Sequence, residues 1–348
     1  MKARRLRRCE LERITIIGMG PIGTAIAFAL KRGGLSNTEI VATGAPRKVL
    51  SVIDKMKAVD QTMVNVASAV SGASMVILDV PLHETYELVE HIGDLLDKDC
   101  VVTDTGTTKL LVMEWAEEFF PSSVDFVGGH PLIKEQLFTL EEAAGFSFEG
   151  IDYCVIPASG ASPQSVQTVV GMVEMLKAKP LFLDPKEHDS YAVAMEYLPV
   201  VMSSALTTAL TGSNSWREMH RLAAHEFGQF SRLAANDPQI NEAESVANPE
   251  AMVYWIDQLI TELYKYRNQI KDGDEQLLDT FVKAWEGRAR WEADAVVQDD
   301  SPEIQNFSSS FASAFFGEKL LERYRRMTSD EDNTKKDWRY KRGNQNTR

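Results

Sequence analysis

The chain has 348 residues, 44% of them hydrophobic and 25% charged, with a formal net charge of −14. That length suits two domains, and the composition is that of an ordinary globular protein able to bury a sizeable core. An acidic balance argues against nucleic acid as the main partner. Three cysteines, Cys9, Cys100 and Cys154, stand in no paired spacing, so a reducing, cytoplasmic setting is expected, with no disulfide framework and no metal site.

The basic start MKARRLRRCELER is not followed by a signal-type apolar core, and residues 1–12 read as a tail. RITII (13–17) is a short β-branched strand, GMGPIG a turn, and TAIAFALKRGG an apolar helix ending at Gly33–Gly34. Further apolar runs follow: EIVAT, MVILDVP (75–81), CVVTDTG (100–106), DFVGG (125–129), YCVIP (153–157) and PLFLD (180–184). Helical patterns separate most of them, at 45–68, 83–97, 108–120 and 163–178. Strands that are apolar nearly throughout, alternating with helices, predict a parallel sheet covered on both faces. The expected fold over 13–185 is therefore α/β, a Rossmann-type doubly wound parallel sheet.

The texture changes after Pro185. From 186 to 327 the chain shows long helical patterns with few glycines, which predicts an all-α second domain. Residues 191–212 are about long enough to span a membrane, but Glu196, Pro199 and many Ser and Thr point to a buried helix of a soluble domain instead. No membrane partner is expected. The same segment is the candidate centre of a homodimer interface. Residues 328–348 are polar and charge-rich and read as a disordered tail.

GMGPIG places Gly18, Gly20 and Gly23, with Met19, Pro21 and Ile22 between them, directly after a strand and at the start of a helix. In that context a G-x-G-x-x-G run is a dinucleotide fingerprint, with the helix N-terminus receiving the pyrophosphate. An NAD site usually carries an acid about 20 residues further on. Here the end of the second strand reads VATGAPRK, with Thr43, Arg47 and Lys48 and no acid. A hydroxyl and two cations suit a 2′-phosphate, so NADP is expected ahead of NAD. Ligands in such sheets bind outside the carboxyl ends of the strands. That gathers DVP (with Val80 and Pro81), DTGTTK (with Asp104) and GGHP around one crevice.

With these motifs in order, the sequence resembles the prephenate and arogenate dehydrogenase family of tyrosine biosynthesis. The resemblance runs from about residue 13 to 270 and continues through LFTLEEAAGFSFEGIDYCVIP, His188–Asp189, the LP of EYLP and FGQFSRLAANDP. It implies an NAD(P)-dependent oxidative decarboxylation of a small cyclic carboxylate. A hydride leaves the carbon bearing the hydroxyl, a base takes the hydroxyl proton, and loss of carbon dioxide makes the ring aromatic. It implies further that His130 in GGHP is the base, that Thr107 takes the place of the family's serine, and that Arg232 grips a substrate carboxylate. His188–Asp189 reads as a structural pair opening a helix of the second domain.

The substrate half departs from the family pattern. After His130–Pro131 the chain has Leu132–Ile133–Lys134–Glu135–Gln136, where the family carries small residues, and Tyr197 in EYLP replaces a family histidine. Lys134 and Tyr197 therefore join Arg232 as substrate-facing candidates. Two other readings stay open: a dehydrogenase or reductase of another carboxylate, and a dinucleotide-binding protein without turnover.

Overall fold

A computed structural model describes residues 12–35, 37–134, 137 and 139–293. Most of the expected N-terminal tail, all of the C-terminal one, and Glu135–Gln136 lie outside the described residues. The chain opens with β1 (Glu12–Ile17), α1 (Pro21–Arg32), β2 (Thr38–Thr43), α2 (Arg47–Met56), β3 (Gln61–Thr62), α3 (Val66–Val70), β4 (Met75–Leu78) and α4 (Leu82–Gly93). It continues with β5 (Val101–Asp104), α5 (Leu110–Phe119), β6 (Asp125–Pro131), α6 (Leu140–Gly145), β7 (Asp152–Pro157), α7 (Pro163–Met175) and β8 (Lys179–Phe182).

The strands form one sheet in the order β3-β2-β1-β4-β5-β6-β7-β8. Every pairing is parallel except β6 with β7, where His130 lies opposite Cys154. This is the doubly wound architecture expected, with the last two strands, β7 and β8, running opposite to the rest. Both sheet faces are covered: Ile16 and Ile77 point into one apolar cluster, and their neighbours Ile17 and Leu78 into the other. That two-sided burial is why the strands are apolar throughout, and it is also why their pattern carries no direction. Each such fully buried side chain contributes roughly 1.5–3 kcal/mol.

Local chemistry sets the helix ends. Pro21 opens α1, and Lys31 and Arg32 close it on the negative end of its dipole. Thr139 and Glu142 form a reciprocal capping box on α6. The predicted helix at 45–68 is corrected: α2 stops at Met56, Lys57 takes a left-handed turn, and the short edge strand β3 follows.

The helical part comprises α8 (Pro185–Ala192), a π-helical turn (Val193–Tyr197), α9 (Leu198–Thr211), α10 (Trp216–Met219), α11 (His225–Ser231), α12 (Pro238–Ala247), α13 (Pro249–Asp272) and α14 (Leu277–Glu292). Two 3-10 turns, His220–Leu222 and Arg232–Ala235, divide the predicted long helix around α11 into short pieces. The run Pro185–Thr211 is long and apolar enough to cross a membrane by length and composition, yet its most apolar window is only 22% buried within the chain. The expected burial of this helix is thus not met inside one chain.

Two compact units divide between Asp257 and Gln258. The first holds the sheet and the helices through α12. In the second, Thr280 donates to Gln269 at 3.1 Å and Tyr266 stacks at 5.2 Å from Phe281.

Candidate active site

The carboxyl ends of β5 and β6 are locked together by one buried ion pair. Lys109 follows β5 in the DTGTTK turn; its ammonium pairs with Asp104 and donates to the Gly129 carbonyl at 2.8 Å. Asp104 in turn accepts from the Gly129 amide at 2.9 Å and the Gly106 amide at 3.2 Å. The two glycines before His130 make this approach possible. A Cβ on Gly129 would fall 2.4 Å from the Asp104 carbonyl oxygen, and one on Gly128 2.8 Å from the Lys109 side chain. Asp104, expected at the cofactor, instead has both oxygens engaged inside the protein.

The last turn of β6 presents His130, only 5% exposed. Its Nδ1 lies 2.9 Å from Nε2 of His188, and Nδ1 of His188 lies 2.9 Å from Asp189 Oδ1. Asp189 also accepts from the amides of Lys109 and Leu110, both at 2.9 Å, so it caps the N-terminus of α5. The expected structural role of His188–Asp189 is therefore only part of the account. Asp184, not Asp189, caps α8, and the pair reaches across to the β6 histidine.

This chain fixes proton positions by elimination. A carboxylate only accepts, so His188 carries a proton on Nδ1, and as a neutral ring it accepts at Nε2. His130 must then donate from Nδ1, which leaves its Nε2 lone pair outward. Burial first, then the charge of Lys109 and the neighbouring His188, hold the His130 pKa well below its ordinary value. His130 is a neutral imidazole with one accepting nitrogen, the form a general base requires.

That nitrogen faces Glu196, whose Oε1 is 3.3 Å away. Glu196 and Tyr197 sit on the π-helical turn between α8 and α9, where the Leu198 amide bonds to the Val193 carbonyl. Such turns re-aim side chains within a helix and concentrate at functional sites. Burial, reinforced by Glu244, pushes the Glu196 carboxyl up to about 7. Glu244 on α12 accepts from the Thr108 hydroxyl at 2.9 Å and has Tyr197 and Thr107 beside it; burial raises its pKa also. The Tyr197 hydroxyl is buried beside Glu244 and Thr108 without a well-formed hydrogen bond. His130, Thr107 and Tyr197 thus share one cluster.

Ligand atoms of His130, His188 and Cys154 come within 4.8 Å of one another. The two histidines are already hydrogen-bonded, and burial pushes the Cys154 thiol up to about 11. A metal-binding thiolate needs the opposite shift.

At the other strand ends, Gly18 has φ +82°, and a Cβ there would meet the Asp79 carbonyl at 2.1 Å and Val80 at 2.8 Å. The amides of Gly20 and Gly23 donate to Asp79 Oδ2 at 3.0 and 2.9 Å, and Thr105 donates to Oδ1 at 2.8 Å. The amides of Met19 and Ile22 have no protein acceptor among the described residues. Pro21 starts α1, and Pro81 caps α4. Thr43 ends β2 with a fully buried hydroxyl that has no hydrogen-bond partner among the described residues, beside the exposed first turn of α2 with Arg47 and Lys48. Free loop amides and an orphaned hydroxyl at the sheet edge fit a dinucleotide. Lys134 is exposed after β6, and Arg232 is exposed on the 3-10 turn whose Ala234 amide is held by Ser203 at 3.0 Å.

Residues 26–181 match a family profile described as prephenate dehydrogenase, nucleotide-binding domain, and residues 184–284 one described as prephenate dehydrogenase, dimerization domain. A prephenate dehydrogenase of Bacillus subtilis is 25% identical over 272 residues, 78% of this chain and 73% of that protein. A cyclohexadienyl dehydrogenase of Zymomonas mobilis is 26% identical over 290 residues, 81% of this chain and 96% of that one. Among solved structures, prephenate dehydrogenase from A. aeolicus in complex with hydroxyphenyl propionate and NAD+ shares the fold. Its TM-score is 0.71 at 20% identity, covering 82% of this chain and 99% of that one.

Proposed function

Because the chain belongs to the prephenate dehydrogenase family, matched in both the nucleotide-binding and the dimerization domain, we propose that it is an NAD(P)-dependent dehydrogenase. Its substrate class is prephenate, arogenate or a closely related cyclohexadienyl carboxylate. The observation that carries this is the Asp189–His188–His130 chain, which holds a neutral histidine with its Nε2 lone pair outward at the sheet edge.

A bound nicotinamide supplies the hydride acceptor. His130 takes the hydroxyl proton at Nε2 as the hydride leaves the same carbon. The carbon–carboxylate bond then breaks, and its electron pair completes the aromatic ring as carbon dioxide departs. The ring carbonyl oxygen takes up the displaced pair and regains the proton held by His130. A placed base of this kind contributes roughly 10²–10⁴ in rate. Thr107, beside Glu244, is our candidate for orienting the hydroxyl. Arg232, Tyr197 and Lys134 are the candidates for the substrate's carboxylates and ring. Glu196 lies where the hydroxyl must approach. Near neutral pH its carboxyl exists in both forms, and its protonated form donates to His130 until substrate takes that place. Asp104, closed on Lys109, shapes the turn rather than touching the cofactor.

Thr43, Arg47 and Lys48 support NADP over NAD; Gly18 through Gly23, Val80 and Pro81 form the cradle. We read 13–185 as the dinucleotide-binding region and 186–327 as the substrate and dimerisation region of a soluble homodimer. Support comes from the matched dimerization domain and the half-exposed apolar α9. A binding protein without turnover is the second reading, favoured by the carboxyl set against the base. A two-by-two activity test separates them: prephenate and arogenate, each with NAD and NADP. Turnover in any combination supports the dehydrogenase, and silence in all four sinks it.

A further inference from the structure

The glycine fingerprint is already serving an anion. Asp79, one residue past β4, sends its carboxylate across to the start of the 12-residue helix α1. There one oxygen accepts from the amides of both Gly20 and Gly23, and the other from the Thr105 hydroxyl. The fit is specific. A Cβ on Gly23 would stand 2.4 Å from that oxygen, so the third glycine of the motif makes room for a carboxylate here. A helix N-terminus favours one negative group, through its free amides and its dipole. A dinucleotide brings a second, its pyrophosphate.

Resting on the reading that a dinucleotide binds this loop, we propose that Asp79 is an internal anion sharing the α1 N-terminus with the cofactor pyrophosphate, so that binding takes up a proton at Asp79. Among the described residues, no cation pairs with Asp79. The titratable groups around Asp79 are Tyr153 on β7, a buried phenol held neutral, and the Asp104–Lys109 pair after β5, which is closed on itself. Loss of water around the Asp79 carboxyl already raises its pKa, against the three hydrogen bonds that lower it. A neighbouring phosphate raises it further, which makes binding and protonation reciprocal. Affinity then falls as pH rises above the pKa of the free site, by up to about tenfold per pH unit.

Asp79→Asn tests this, because the isostere keeps an oxygen for the two amides and removes the charge. Binding of NADH and NADPH is measured by calorimetry from pH 5.5 to 8.5, in buffers of differing ionisation enthalpy to count protons. Thermal melting of each variant checks the fold. Expected for the natural protein is uptake of up to one proton and a dissociation constant at least about tenfold weaker at the alkaline end. Expected for Asp79→Asn is loss of that uptake and about tenfold tighter binding at pH 8.5. Equal proton counts and equal affinities in the two proteins overturn the proposal while leaving the cofactor assignment standing. If neither nucleotide binds either protein at any pH, the cofactor reading itself falls.

Discussion

His130 and His188 lie 58 positions apart in the chain, yet Nδ1 of the first and Nε2 of the second are 2.9 Å apart and buried. The relationship gives His188 a function that cannot be seen from its place in α8. It sets which nitrogen of His130 carries the proton. His130→Ala should lower kcat by roughly 10²–10⁴ with NAD(P) affinity unchanged. His188→Ala should lower kcat less and move the pH profile, because His130 loses its fixed tautomer but remains. Steady-state kinetics across pH 6–9 distinguishes the two, and a His188→Ala profile superimposable on that of the natural protein would remove the positioning role.

Glu196 should make the protein less stable as the medium becomes more alkaline. Its folded pKa, about 7, lies above the usual carboxylate value. The folded state therefore binds more protons than the unfolded one between roughly pH 4.5 and 7, and stability falls as pH rises through that window. Glu196→Gln removes the titration. Its melting temperature should match the natural protein near pH 4.5 and exceed it at pH 8; equal differences at both pH values would contradict this.

The Lys109–Asp104 pair is fully enclosed, with side-chain exposures of 0% and 5%. Lys109→Met leaves Asp104 buried without its cation and should cost about 3–5 kcal/mol. Removing both charges, as Lys109→Met with Asp104→Asn, should cost less than the two single changes together. Urea unfolding of the four proteins gives the coupling directly.

Gly129→Ala should destabilise by roughly 1–3 kcal/mol, since the new methyl would lie 2.4 Å from backbone at Asp104. Gly145→Ala, with nothing within 4 Å, should lack that clash. Paired thermal melts provide the comparison.

Much of this was legible in the sequence. Two-sided burial writes itself as apolar strands, and the glycine turn and GGHP stand at strand ends, where open sheets bind ligands. What stayed hidden depends on contacts between distant segments. Nothing near Glu244 announces that it will meet Thr108, 136 positions away. An acid near the start of a helix usually serves that helix, and this is the role the sequence suggests for Asp189. It caps α5 instead, through the Lys109 and Leu110 amides. β3 leaves no sign because two residues cannot show a period, and the reversal that begins at β7 leaves none because an all-apolar strand looks the same in either direction. Glu196 left one trace, the departure at EYLP, but only the π-helical turn shows which way it points.

That turn has a consequence for how the chain can change. A wider turn between two regular helices holds one residue more than an unbroken helix would, so α8 and α9 run on helical phases offset by about 100°. Losing one residue anywhere from Val193 to Tyr197 could restore a continuous helix with little harm to its hydrogen bonds. It would also rotate α9 relative to α8 and swing the carboxyl away from His130. Length, as much as side-chain identity, is therefore under constraint in this five-residue stretch.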